Sequence, residues 1–159
     1  MGRENRLKII IAGMSALPAP ARRSALYQKA VRLAFGASSN KAGPDGEVSV
    51  VFLRRAAMLR MNRHYLGHDY DTDVIAFKHE AVSGIDRAEA PIGDIFISSW
   101  MARRQARALG HCVAVEAATL AVHGSLHLLG HDDHRPAAKA RMIKIQDRIV
   151  AELRKKTAE

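Results

Sequence analysis

The sequence predicts an α+β fold in which one mixed β-sheet of about four strands packs against about five helices. Three observations predict it. Short runs rich in isoleucine, valine and phenylalanine read as strands, longer runs carry apolar residues at helical spacing, and the two kinds follow one another in mixed order. A chain of 159 residues, 48% of them hydrophobic, is about one domain in size, and it shows no repeat, low-complexity tract or linker. Residues 1–159 are therefore expected to form a single domain.

Leu7 to Ala12 is an isoleucine-rich apolar run ending at Gly13, which predicts a buried strand, and Ser15 to Pro20 then reads as a turn. From Ala21 to Phe35 the residues Ala25, Leu26, Ala30, Val31 and Ala34 recur at helical spacing, while Arg22, Arg23, Lys29 and Arg32 take the other faces. Gly36 to Gly46 is a polar loop. Glu47 to Leu53 alternates like a strand, and Arg54 to Tyr65 is built from helix formers and stopped by Gly67. Asp73 to Lys78 and Ile92 to Ser98 are two further strands, separated by a polar loop from His79 to Pro91 in which no chemistry is legible. Trp100 to Leu109 is a helix stopped by Gly110, and Val113 to Leu129 a strongly apolar one stopped by Gly130. The last helix runs from Pro136 to about Lys155, with proline in the first turn, where its missing N–H costs nothing.

Twenty-five Lys and Arg against sixteen Asp and Glu give a net charge of +9, which favours polyanionic partners such as nucleic acid. Aromatic residues make up only 5%, so an aromatic platform for stacking bases is not expected and contacts to RNA should be electrostatic. Apolar runs such as Ile9 to Ile11 fall far short of the roughly 20 residues that a membrane-spanning helix needs. The amino terminus lacks the apolar core and cleavage site of a signal peptide, so the chain is expected to stay in the cytoplasm. The lone Cys112 forms no internal disulfide, and it is read as a packing residue on an apolar helix rather than a nucleophile paired with His111. No long heptad pattern asks for a dimer, so a monomer is expected.

Five of the eight histidines lie between positions 111 and 134, together with Asp132 and Asp133. His123 and His127 are four apart on a predicted helix, so both imidazoles leave one face a turn apart, as in the metal helix of zincins, and two nitrogens can reach one Zn²⁺ at about 2.0 to 2.1 Å. Gly130 allows the chain to turn back, and His131-Asp132-Asp133-His134 supplies candidates for a further ligand. Gly124 stands where zinc peptidases of the H-E-x-x-H type carry their glutamate base, which weighs against peptidase chemistry. Candidate proton acceptors are Asp132, His111 and whichever of Asp133 and His134 does not bind metal. Glu116, two turns before His123, is either a partner to a ligand imidazole or a solvated side chain.

The run His123-Gly124-Ser125-Leu126-His127-Leu128-Leu129-Gly130 resembles the signature of the YbeY family. Gly110-His111 with Glu116, the strand Gly93-Asp94-Ile95-Phe96-Ile97-Ser98, and the stretch Asn62 to Phe77 resemble further segments of that family, so that the likeness covers roughly residues 45–150. The resemblance implies a zinc-dependent endoribonuclease acting on single-stranded RNA, with one Zn²⁺ per chain. It also implies work in ribosomal RNA maturation, notably at the 3′ end of the small-subunit RNA, and in ribosome quality control, with small-subunit ribosomal proteins as partners.

Two departures from the family pattern carry consequences. The commonest third ligand is a histidine ten residues after the first; that position is Asp133 here, and a histidine follows at His134. A carboxylate oxygen binds zinc at a similar distance, so Asp133 is favoured over His134, and His131 is set aside. Leu66 stands where the family often carries an arginine after the tyrosine, which leaves Arg60 and Arg63 as candidate RNA contacts. Two other functions fit the same residues: a metal-dependent hydrolase of another substrate, and a ribosome-assembly or RNA-binding factor whose metal is structural. Binding by both Asp133 and His134 would close the site with four protein ligands and favour the structural role.

Overall fold

The computed structural model describes residues 6–38 and 45–157. Along them run β1 (Leu7–Ala12), α1 (Ser24–Ser38), β2 (Gly46–Leu53), α2 (Arg55–Leu66), β3 (Val74–Lys78), β4 (Pro91–Ser98), α3 (Ser99–Leu109), α4 (Val113–Leu128) and α5 (Pro136–Thr157). The strands form one sheet in the order β1-β2-β4-β3, with β1, β2 and β4 parallel and β3 antiparallel at the edge. A mixed four-stranded sheet with five helices is the α+β architecture read from the sequence.

Alternation along the strands decides what lies on each face. Val48, Val50 and Phe52 of β2, and Ile95 and Ile97 of β4, point to the side covered by α1 and α4 and are fully buried there. Asp94 and Phe96 point to the other side with Phe77, which pairs with Asp94 across the β3–β4 ladder. That side is covered only in part, by α2. The core is closed by Tyr27 of α1 against Phe52, ring centroids 4.9 Å apart, and the buried Tyr27 hydroxyl donates to the Ala21 carbonyl. Burial pushes this phenol well above its ordinary pKa, so it stays a neutral donor.

Helix α4 lies hard against the sheet because the residues at the contact are glycines. A Cβ on Gly124 would meet Ile95 Cγ2 at 2.5 Å, and one on Gly93 would meet Leu128 Cδ2 and the Phe77 carbonyl oxygen, each at 2.6 Å. The absence of both Cβ atoms sets the depth of α4, and with it the position of the side chains at its carboxyl end.

Three differences from the expected elements have local causes. Helix α1 begins at Ser24 rather than Ala21, because Met14–Ala16 and Ala19–Ala21 form short 3₁₀ turns and Arg22 Nε donates to the Leu17 carbonyl. It continues through Gly36 to Ser38, which shortens the loop expected from Gly36 to Gly46; residues 39–44 of that loop lie outside the described residues. Cys112 is not a packing residue: it occupies the N-cap of α4 and is exposed.

Candidate metal centre

Gly124 and Leu128 face the sheet, so His123 and His127, each one residue earlier, are turned about 100° around α4 away from it. Their side chains are 23% and 29% exposed. The two Nε2 atoms face each other 3.0 Å apart.

The helix ends in a Schellman turn. Gly130 N–H donates to the His127 carbonyl and His131 N–H to the Leu126 carbonyl, both at 3.0 Å, with Gly130 at φ 93°, where a side chain would be strained. This turn folds the chain back over the last turn of α4. It brings the His131 carbonyl to 3.2 Å from His127 Nδ1 and Asp133 Oδ2 to 3.5 Å from His127 Nε2 and 3.8 Å from His123 Nε2. One donor atom from each of His123, His127 and Asp133 lies within 4.8 Å of the others.

The tautomers follow from the partners. His127 Nδ1–H donates to a backbone carbonyl, and His123 Nδ1–H donates to Gln146 Oε1 of α5 at 2.8 Å. In the neutral rings both Nε2 atoms therefore present lone pairs, to each other and to a carboxylate. Burial, and then the neighbouring His123, lower the pKa of His127, with Asp133 opposing, so the neutral ring is favoured at pH 7. Two lone pairs and an anionic oxygen converging without a proton between them are the donor set of a divalent cation, and nitrogen with oxygen donors suits zinc.

His134 and Asp132 stand beside this group. The His134 side chain is 92% exposed and its Nε2 lies 4.0 Å from the other Asp133 oxygen, Oδ1. Asp132 Oδ1 accepts the His134 backbone N–H at 2.8 Å, so this carboxylate shapes the turn that aims Asp133 inward. His131 contributes its carbonyl. Arg60 is exposed on α2, and Arg63 is exposed and paired with Asp69.

Several expectations are corrected. His111 precedes α4, whose first residue, Val113, is ten residues and roughly 15 Å along the helix from His123, and its Nε2 is hydrogen-bonded to Glu116 at 2.6 Å. It cannot serve as proton acceptor at this centre. Glu116 is neither solvated nor a partner of a ligand imidazole, because it is buried against His111 at the opposite end of the helix. The polar loop after β3 does carry a paired group: His79 Nε2 meets Asp94 Oδ2 at 2.7 Å. An aromatic cluster exists despite the low aromatic content, with Tyr65, Phe77 and Phe96 in successive edge-to-face contact at 5.4 and 5.8 Å. Gln146 was missed as well, and only its helical spacing from other α5 residues, not its role, is visible in the sequence.

Comparison with known proteins bears on most of the chain. Residues 19–154 match the family model described as Endoribonuclease YbeY. Among curated proteins named Endoribonuclease YbeY, that of Elusimicrobium minutum is 33% identical over 86% of this chain and 93% of its own length. That of Moorella thermoacetica is 42% identical over 74% and 79%. The solution structure of TM1509 from Thermotoga maritima covers 91% of this chain and 88% of its own with a TM-score of 0.58; at 22% identity it speaks to the fold.

Proposed function

We propose that this chain, which belongs to the YbeY family, is a zinc-dependent endoribonuclease that cuts single-stranded RNA during ribosomal RNA maturation, at the 3′ end of the small-subunit RNA, and in ribosome quality control. The observation that carries the reading is the convergence of His123 Nε2, His127 Nε2 and Asp133 Oδ2, with both imidazoles held by carbonyl acceptors in the tautomer that leaves Nε2 open. When bound, a zinc ion at three protein donors keeps a position for water or a phosphate oxygen and supplies Lewis acidity.

The chain's own residues supply the rest. Gln146 and the His131 carbonyl orient the two imidazoles, and the net charge of +9 draws the phosphodiester backbone toward the protein. Asp132 and His134, in the same cluster of groups as Asp133, are the candidate acceptors for the proton of the attacking oxygen. Arg60, and Arg63 beside Asp69, take the place of the arginine that Leu66 replaces. The exposure of His134 supports an open, three-donor site over the closed one that a purely structural metal would occupy. The reading takes the chain as one domain working as a cytoplasmic monomer beside small-subunit ribosomal proteins; among the described residues no helix is long and apolar enough to cross a membrane.

The test is RNA cleavage by zinc-loaded wild type, His123→Ala, Asp133→Ala and His134→Ala, with bound zinc counted in each preparation. Wild type and His134→Ala are expected to hold one zinc, and His123→Ala and Asp133→Ala to lose both zinc and cutting. Equal cutting by all four would assign the nuclease to a contaminant and overturn the reading.

A further inference from the structure

Helix α2 and the β3–β4 ladder enclose a cleft lined by Met61, Tyr65, Phe77, His79, Asp94 and Phe96, with Lys78 at its rim. Tyr65 is 62% exposed, an unusual position for a large ring, and it stands on edge against Phe77, which stands on edge against Phe96. Beside these rings, Asp94 gives one carboxylate oxygen to His79, and its other oxygen, Oδ1, has no hydrogen bond among the described residues. An apolar aromatic wall next to a carboxylate with spare acceptor capacity is complementary to a flat heterocycle that carries an N–H donor.

The cleft shares its strands with the metal centre. Leu128, the residue after His127, packs on Gly93 on one face of the sheet, while Phe77 and Asp94 project their side chains from the other. Strand β3 is the edge strand of the sheet, and Lys78, its last residue, brings a cation to the cleft lining.

We propose that this cleft is a nucleobase subsite for the RNA, in which Tyr65 stacks the base, Phe77 backs the Tyr65 ring on edge, and Asp94, oriented by His79, accepts from an exocyclic amino group. The proposal deepens the endoribonuclease reading and rests on it for the identity of the ligand. It also makes a chemical choice. Cytosine offers an exocyclic amino donor at position 4, whereas the one base-edge N–H of uracil, at N3, is flanked by two carbonyl oxygens that a carboxylate repels, so the subsite takes cytosine over uracil.

The experiment measures binding rather than cutting, with zinc-loaded protein and short 2′-O-methyl strands that resist cleavage: oligocytidine, oligouridine and an abasic strand of equal length. Wild type is expected to bind oligocytidine about tenfold more tightly than oligouridine, the effect of one charge-assisted hydrogen bond. Tyr65→Ala should weaken oligocytidine about tenfold, as loss of one stacking contact does, and leave the abasic strand unchanged. Asp94→Asn should erase the preference for cytosine. Thermal unfolding of each variant checks that it folds, and Tyr65→Phe, which keeps the ring, should restore wild-type binding. Wild-type affinity for oligocytidine in Tyr65→Ala, equal binding of abasic and base-bearing strands, or no binding of any strand overturns the proposal. Cleavage of unmodified RNA is scored separately. Base-dependent binding without cutting removes the nuclease reading and keeps the subsite; cutting with no effect of Tyr65→Ala removes the subsite and keeps the nuclease.

Discussion

Gln146→Leu isolates the contribution of a group that touches a metal ligand and no metal. Gln146 Oε1 accepts from His123 Nδ1–H at 2.8 Å, which holds the ring in one tautomer and one orientation. Leucine keeps the approximate volume and removes the acceptor. Without metal the variant loses one partly buried hydrogen bond, about 0.5–1.5 kcal/mol, and for a chain of this length the melting temperature should fall by roughly 2–5 °C. With zinc there is a second loss. The freed imidazole can place its proton on Nε2, and the ring is no longer held toward His127, so zinc affinity should fall about 10- to 100-fold, or roughly 1.4–2.7 kcal/mol. Zinc affinity measured at pH 7 by competition with a chelator of known strength, beside melting curves with and without zinc, separates the two losses. Gln146→Glu retains an acceptor of greater basicity and should bind zinc at least as tightly as wild type. If Gln146→Leu lowers the melting temperature while holding zinc with wild-type affinity, Gln146 is a packing residue and the reasoning from tautomer to ligand fails.

Four further outcomes follow from the same structure. His111→Ala leaves the buried Glu116 side chain without its hydrogen-bond partner and should cost about 1–3 kcal/mol in thermal unfolding, while zinc bound per folded molecule stays unchanged; loss of zinc at unchanged stability would return His111 to the metal centre. Gly124→Ala drives a Cβ to 2.5 Å from the fully buried Ile95, an overpacking cost of about 1–3 kcal/mol offset by up to about 1 from helix propensity, and should lower the melting temperature. Gly36→Ala, with nothing within 4 Å of the added Cβ, should raise it, so two equal changes are expected to have opposite signs. The lowered pKa of His127 means that the fold favours its neutral form, whose stabilising contribution is fully present above the ordinary imidazole value of 6.5 and is lost as pH falls through the lower folded value. Zinc affinity and metal-free stability, each titrated from pH 8 to pH 5, should both fall on the acid side, and a rise in either would contradict the assigned cause.

What was legible in the sequence was what depends on neighbours along the chain. The pairing of His123 with His127 needs only helical spacing, and the return of the chain needs only Gly130 at the end of that helix, so both could be read without a fold. Gln146 could not. It is 23 residues beyond His123, on a helix whose rotation against α4 is set by packing across the whole core. Glu116 shows the opposite error. Its spacing from His123 puts both on one stripe of α4, but a stripe has length as well as direction, and seven residues at 1.5 Å each carry the carboxylate about 10 Å away, to His111. Cys112 was misplaced by a single step: the residue before Val113 is a cap rather than a first helical residue, which exchanges a buried position for an exposed one.

The choice between Asp133 and His134 joins both kinds of information. Adjacent residues in a tight turn point in different directions, so one of the pair faces the histidines and its neighbour turns to solvent. The resemblance favoured the residue ten after His123 but offered no force to hold it there. The structure contains one: Asp132 takes the His134 backbone N–H, and that turn presents Asp133 to the two Nε2 atoms. Asp132 is then a positioning residue for the ligand before it is a candidate acid or base, and the two roles can be separated. Asp132→Asn keeps an oxygen for the turn and removes the basic carboxylate, so it should retain zinc; Asp132→Ala removes both and should weaken zinc as well. Equal zinc affinity in Asp132→Ala and wild type would show that the turn holds without its side chain, and that the direction of Asp133 is set by the backbone after Gly130 alone.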